Sequence, residues 1–130
     1  MSQLEFYFDY VSPWSYVAHK RLPEVLEGLD VEVHYRPVFL GAIMDATSNR
    51  PPASVPAKFQ YMMQDIRRYL VRYEIAMDFN PHFPMRTIDA LRGALIAQDE
   101  GVFDVYHDAL FDAVWQHGKN VGDEVDFKEV

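Results

Sequence analysis

"FDYVSPWSY", residues 8–16, decides how the rest of the chain is read. An aromatic run from Leu4 to Tyr10 stops at a Ser-Pro pair, and a second serine follows at position 15. The run reads as a strand, with Leu4, Phe6 and Phe8 on one face and Tyr7 on the other. Serine is a favoured helix N-cap and proline suits the first helical position. Ser12-Pro13 therefore ends a strand and opens a helix, and the Ser12 hydroxyl is either an ordinary cap or a group placed for chemistry.

Working outward, Val17, Leu22, Val25, Leu26 and Leu29 suit one helix face. Pro23 lies among them and is expected to kink or break the helix, with Gly28 as its end signal. "VEVHYRPV", residues 31–38, alternates and is rich in β-branched and aromatic side chains, so it reads as a second strand. A strand-helix-strand unit of this length gives parallel strands. "DATSNRPPASVP", residues 45–56, reads as a loop long enough to be functional. Beyond it the pattern is helical. Phe59, Met62, Met63, Ile66, Leu70 and Tyr73 form a stripe that packs as core, and "NPHFP", residues 80–84, breaks it. Ile88, Leu91 and Leu95 mark a helix closed near Gly101. Phe103, Tyr106, Leu110, Phe111 and Val114 mark another, closed near Gly118. The expected class is α/β: residues 1–45 a βαβ unit, residues 46–130 an all-helical domain. Two parallel strands make a poor sheet by themselves, so further strands are expected from a longer chain or from a partner.

Composition narrows the function. Of 130 residues, 49% are hydrophobic and 15% aromatic, enough for a packed core. The net charge of -8 argues against a general attraction to nucleic acid or to an anionic membrane. There is no cysteine, which excludes disulfides, thiolate nucleophiles and thiolate metal sites in this chain. His19, His34, His82, His107 and His117 show no ligand spacing, so no metal is expected. Ser12 lacks the Gly-x-Ser-x-Gly elbow of a hydrolase. The opening residues lack a leader pattern and no apolar run is long enough to span a bilayer, so the expected setting is cytoplasmic.

Three features favour chemistry at Ser12. It lies at the carboxyl end of a parallel strand, where open α/β sheets place ligands. The amino end of a helix favours an anion. Ser12-Pro13-Trp14-Ser15 also has the layout of a Cys-Pro-X-Cys redox motif with hydroxyls for sulfurs. A hydroxyl cannot exchange disulfides, but it can donate a hydrogen bond to a thiolate carried by a small molecule. Asn49 is otherwise a turn former, Lys58 a solvated lysine, and Trp14 either a pocket wall or core. Asp9 and Tyr16 read as structural.

"FYFDYVSPWSY", residues 6–16, resembles the start of 2-hydroxychromene-2-carboxylate isomerases and kappa-class glutathione transferases, in the DsbA-like branch of the thioredoxin superfamily. "SNRPP", residues 48–52, is similar to that family's Asn-x-Pro-Pro loop, and Lys58 follows Asn49 by nine positions as the family's glutathione-contacting lysine does. "FPMRTIDALRGALIAQDEG" and "VYHDALFDAVWQHGKNV" resemble its helical insertion. The resemblance covers essentially the whole chain. It implies a thioredoxin-like βαβ followed by a helical insertion domain, with the C-terminal part of the thioredoxin fold expected to be absent from this chain, which reaches Val130 about where that return begins. It implies glutathione as cofactor, its thiolate held by Ser12 and the ligand positioned by Asn49 and Lys58. Trp14 and Pro52 would line the pocket of an aromatic carboxylate substrate. The implied activity is glutathione-dependent isomerisation of the 2-hydroxychromene-2-carboxylate type, in aromatic-compound degradation. The alternatives are a kappa-like glutathione transferase and a non-catalytic association module. The expected assembly is a homodimer.

Overall fold

The computed structural model describes residues 1–130. Strand β1 (Ser2–Phe8) pairs in parallel with β2 (Val31–Pro37), and helix α1 (Pro13–Val25) connects them. The register sets Leu4 opposite Val33, Phe6 opposite Tyr35 and Phe8 opposite Pro37. Phe6, Phe8 and Tyr35 pack against one another, and Phe8 and Tyr35 also meet Phe103, with Tyr35 and Phe103 ring centres 5.0 Å apart. Glu5, Tyr7, Glu32 and Arg36 are exposed, and Arg36 pairs with Glu5 at 3.4 Å. The alternation expected for a half-buried sheet is therefore present, with the aromatic face inward.

After β2 the chain is helical. Helix α2 (Leu40–Ala46) is followed by a 3-10 turn (Pro52–Ser54), then α3 (Pro56–Tyr73), α4 (Ile88–Asp99), α5 (Phe103–Trp115) and α6 (Glu124–Glu129). α3 packs on α1, α5 on α1 and α4, and α4 on β2. No helix is long and apolar enough to cross a membrane.

Three sequence expectations need correction. β1 ends at Phe8, not Tyr10, because Asp9 turns its polar groups to other segments. Pro23 does not break α1: it falls in the last turn, where its missing N–H costs one bond, and Leu26 N–H closes the end on the Leu22 carbonyl at 3.0 Å. α2 was not foreseen, since no side-chain cap marks its start. Gly101 sits just past α4 in the left-handed region, φ 73°, as a helix-terminating glycine. Gly93 has a different use, since a Cβ there would collide with the Tyr106 hydroxyl, which donates to the Ala90 carbonyl at 2.7 Å.

The core gathers Phe8, Tyr10, Tyr16, Leu110, Phe111, Val114 and Trp115, all nearly inaccessible to solvent. Its polar atoms are met individually. Trp115 Nε1 donates to the Tyr10 carbonyl at 2.9 Å, and the Tyr16 hydroxyl donates to the Ala76 carbonyl at 2.6 Å. The Tyr10 hydroxyl and His107 Nδ1 share a hydrogen bond of 3.0 Å. His107 Nε2 has no partner. The His107 ring lies 4.6 Å from each of Phe8, Phe103 and His19, measured between ring centres. Burial, aided by the charge of neighbouring His19, pushes its imidazole down to about 3. Burial likewise pushes His19 down, against the pull of Asp108.

The unfolded imidazole, with its ordinary value of 6.5, takes up a proton before the folded one at about 3, so the contribution is complete above 6.5 and is lost as pH falls toward 3. His107→Gln keeps a partner for Tyr10 and does not titrate. It should flatten the fall in urea-unfolding stability between about pH 6.5 and pH 5, above the range of ordinary carboxylates. An unchanged slope in the variant would contradict the assignment.

Candidate functional site

The turn from β1 into α1 is built from residues 9–15. Ser12 has extended backbone angles (φ -85°, ψ 116°), and its Oγ accepts the Ser15 N–H at 3.1 Å. Pro13 takes the first helical position, where no N–H is required. Ser12 N–H donates to the Asp9 carbonyl at 3.0 Å, and Tyr16 N–H donates to the Ser12 carbonyl at 3.2 Å. The Ser12 hydroxyl acts only as an acceptor in this network, so its own proton remains free to donate outward. The first turn of α1 carries no acidic side chain, so the positive end of the helix is not neutralised from within.

Asp9 anchors the turn. Its Oδ1 accepts Val11 N–H at 3.2 Å and the Thr87 hydroxyl at 2.6 Å, and its Oδ2 accepts Leu40 N–H at 2.9 Å. Burial pushes its carboxyl up, while the hydrogen bonds from Thr87, Leu40 and Val11 hold it back.

Beside the turn lies an open groove of about 510 Å³, in the size range of small-molecule sites. Trp14, Pro52, Ala57, Lys58, Tyr61, Met62 and Asp65 line it. Trp14 is half-buried and stands edge-on to Tyr69, ring centres 5.4 Å apart, with its other surface toward the groove. Lys58 is exposed and enters none of the ion pairs. The fold thus brings Trp14, Pro52 and Lys58 together; Ser12, two residues before Trp14, is not itself among the groove's lining residues. Asn49 does not line the groove. It is exposed in the segment before the 3-10 turn, its N–H donates to the Met44 carbonyl at 2.8 Å, and its Oδ1 accepts Arg50 N–H at 2.9 Å.

Sequence reasoning missed Tyr61 and Asp65 and assigned Met62 to the core alone. Met62 is both buried and part of the groove floor. Helical spacing from Lys58 could have found all three, since residues three, four and seven positions on share its face. No group of three or more His, Asp or Glu side chains is arranged to hold a metal ion. The site offers a proton donor, the end of a helix, a free cation and an apolar wall. That set suits an anionic ligand with an apolar part.

Comparison with known proteins gives a consistent result. The family model described as "DSBA-like thioredoxin domain" matches residues 3–130. Glutathione S-transferase kappa 1 of Caenorhabditis elegans is 32% identical over 142 residues, covering 100% of this chain and 61% of that protein. A 2-hydroxychromene-2-carboxylate isomerase of Sphingobium xenophagum is 28% identical over 123 residues, covering 93% of this chain and 62% of that protein. A solved 2-hydroxychromene-2-carboxylate isomerase superposes with a TM-score of 0.76 at 26% identity, covering 89% of this chain and 57% of that one. The chain therefore spans about three fifths of the length of these relatives.

Proposed function

The chain belongs to the DSBA-like thioredoxin domain family, and from that premise we propose that it binds glutathione with the sulfur at the Ser12 hydroxyl. The observation that carries this reading is the uncommitted Ser12 proton at the amino end of α1, next to a groove holding Lys58 and Trp14. Hydroxyls in place of the motif's sulfurs remove redox chemistry and leave thiolate binding. The reaction proposed is isomerisation of the 2-hydroxychromene-2-carboxylate type, in the breakdown of aromatic compounds and in a cytoplasmic setting. Bound glutathione would supply a nucleophilic thiolate that adds to the substrate reversibly, with no net oxidation.

Each residue's part follows from its chemistry. Ser12 donates its proton to the sulfur and so favours the thiolate. The end of α1 adds its partial positive charge. Lys58 holds a carboxylate, of glutathione or of the substrate. Trp14 and Pro52 present an apolar wall to a planar ring and exclude water from it. Asn49 would reach a ligand only by turning its side chain from Arg50.

A second reading, S-transfer of the kappa type, has support from the relative matched along the whole chain. Both reactions need the same thiolate, so the Ser12 argument serves either. Turnover of 2-hydroxychromene-2-carboxylate against conjugation of an aryl halide separates them.

The two-stranded sheet also suits association with a second copy, since a sheet so small gains by extension. Light scattering at micromolar concentration should give twice the 15.2 kDa of the chain. A monomer with a cooperative thermal transition contradicts the dimer.

Ser12 itself separates cap from ligand contact. Ser12→Ala should cost about 0.5–2 kcal/mol of stability through the lost cap. Ser12→Asp caps as well as serine, but an ionised carboxylate donates no proton and sets a negative charge against the sulfur. The aspartate variant should keep its stability, raise the pKa of bound glutathione and lose most isomerase activity. Near-normal activity with an unshifted thiol titration would return Ser12 to an ordinary cap.

A further inference from the structure

Asp9 lies three residues before Ser12 and is 1% exposed. Three donors meet its carboxylate: Val11 N–H, the Thr87 hydroxyl and Leu40 N–H. Two of them are backbone amides, which can only donate, so the arrangement fits an ionised carboxylate. Asp9 enters none of the chain's ion pairs, and no cation lies against it. Burial pushes the carboxyl up and these donors hold it back; in its ionised form it sets a negative charge beneath the turn, met by neutral dipoles alone. Its backbone carbonyl accepts Ser12 N–H at 3.0 Å, which keeps the two residues in one tight loop. Three residues of chain reach at most about 10 Å, so the charge is within electrostatic range of anything held at Ser12.

We infer that Asp9 tunes the site: its buried charge opposes negative charge on a sulfur at Ser12 and keeps the bound thiol closer to its protonated form than Ser12 and the helix end alone would. This rests on the proposed binding of glutathione. The arrangement has a chemical use. A thiolate stabilised too strongly is a poor nucleophile, because nucleophilicity falls with pKa. Ser12 and α1 lower the thiol's pKa, and Asp9 limits how far it falls. Asp9 is a tuning residue: its charge acts across the turn on the sulfur without touching it.

The test is the titration of glutathione bound to the whole chain, read from thiolate ultraviolet absorbance against pH. Asp9→Asn removes the charge and keeps the shape. The bound thiol's pKa should fall by about one pH unit, as expected for a charge about 10 Å away at an effective dielectric of about 20. A purely structural Asp9 gives the opposite sign: the turn loosens, Ser12 donates less well and the pKa rises. The asparagine amide would point a donor at Leu40 N–H, so a second variant is needed. Asp9→Ser is neutral, smaller and able to accept, and it should shift the titration in the same direction. A rise or no shift in either variant, with its cooperative thermal transition intact, overturns the inference and leaves binding at Ser12 standing. Failure of the wild-type chain to bind glutathione, or binding with an unperturbed thiol, overturns both.

Discussion

Asp9 ties together three segments that are far apart in sequence. Its carboxylate receives Val11 in the turn after β1, Leu40 at the start of α2 and Thr87 just before α4. A buried carboxylate is costly unless its lone pairs are filled, so each donor must be held where it is. That requirement reaches outward in both directions. It fixes where β1 stops pairing and where α2 can begin, and it docks the amino end of α4 beside the sheet. The Ser12 turn closes on the same residue through the Asp9 carbonyl. Position 12 is therefore held by the residue that joins these segments as well as by its own cap.

The aromatic core supports this arrangement from below. Tyr10, one residue past Asp9, is clamped at both ends: Trp115 holds its carbonyl and His107 its hydroxyl. α5 thereby braces the strand end that α2 and α4 hold through Asp9. The groove is made by a different neighbour. α3 crosses α1 and places Lys58, Tyr61, Met62 and Asp65 beside Trp14. Precision at Ser12 comes from buried hydrogen bonds. The adjoining wall comes from half-exposed side chains that can adjust to a ligand. A rigid donor beside an adaptable wall suits a site that must hold a sulfur in one place and accept a planar substrate next to it.

Much of this was legible in the sequence. Alternation marked both strands, and the stripes through Phe59–Tyr73 and Phe103–Val114 marked α3 and α5; α4 was placed correctly, but its buried face is Ala90, Leu91, Ala94 and Ala97, with Leu95 exposed. Ser12-Pro13 announced its own cap. α2 was not legible. Its start is set by Asp9 Oδ2 and by no residue of its own, and a tertiary hydrogen bond leaves no local signature. Pro23 misled because position within the helix, not presence, decides what a proline does. Trp14, Pro52 and Lys58 line one groove, whereas Asn49 lies outside it with its Oδ1 on Arg50 N–H. Asp9 was recognised as structural, but its missing counter-ion could not be seen without the fold.

The central claim is that a thiol ligand sits between the Ser12 turn and α3. Amide and indole NMR of the chain, titrated with glutathione, tests it most directly. Shifts should concentrate at Ser12, the Trp14 indole, Ser15 and Lys58, with smaller ones at Tyr61 and Asp65, and they should shrink when S-methylglutathione replaces the free thiol. Shifts centred on other helices, or equal responses to both ligands, would contradict the account.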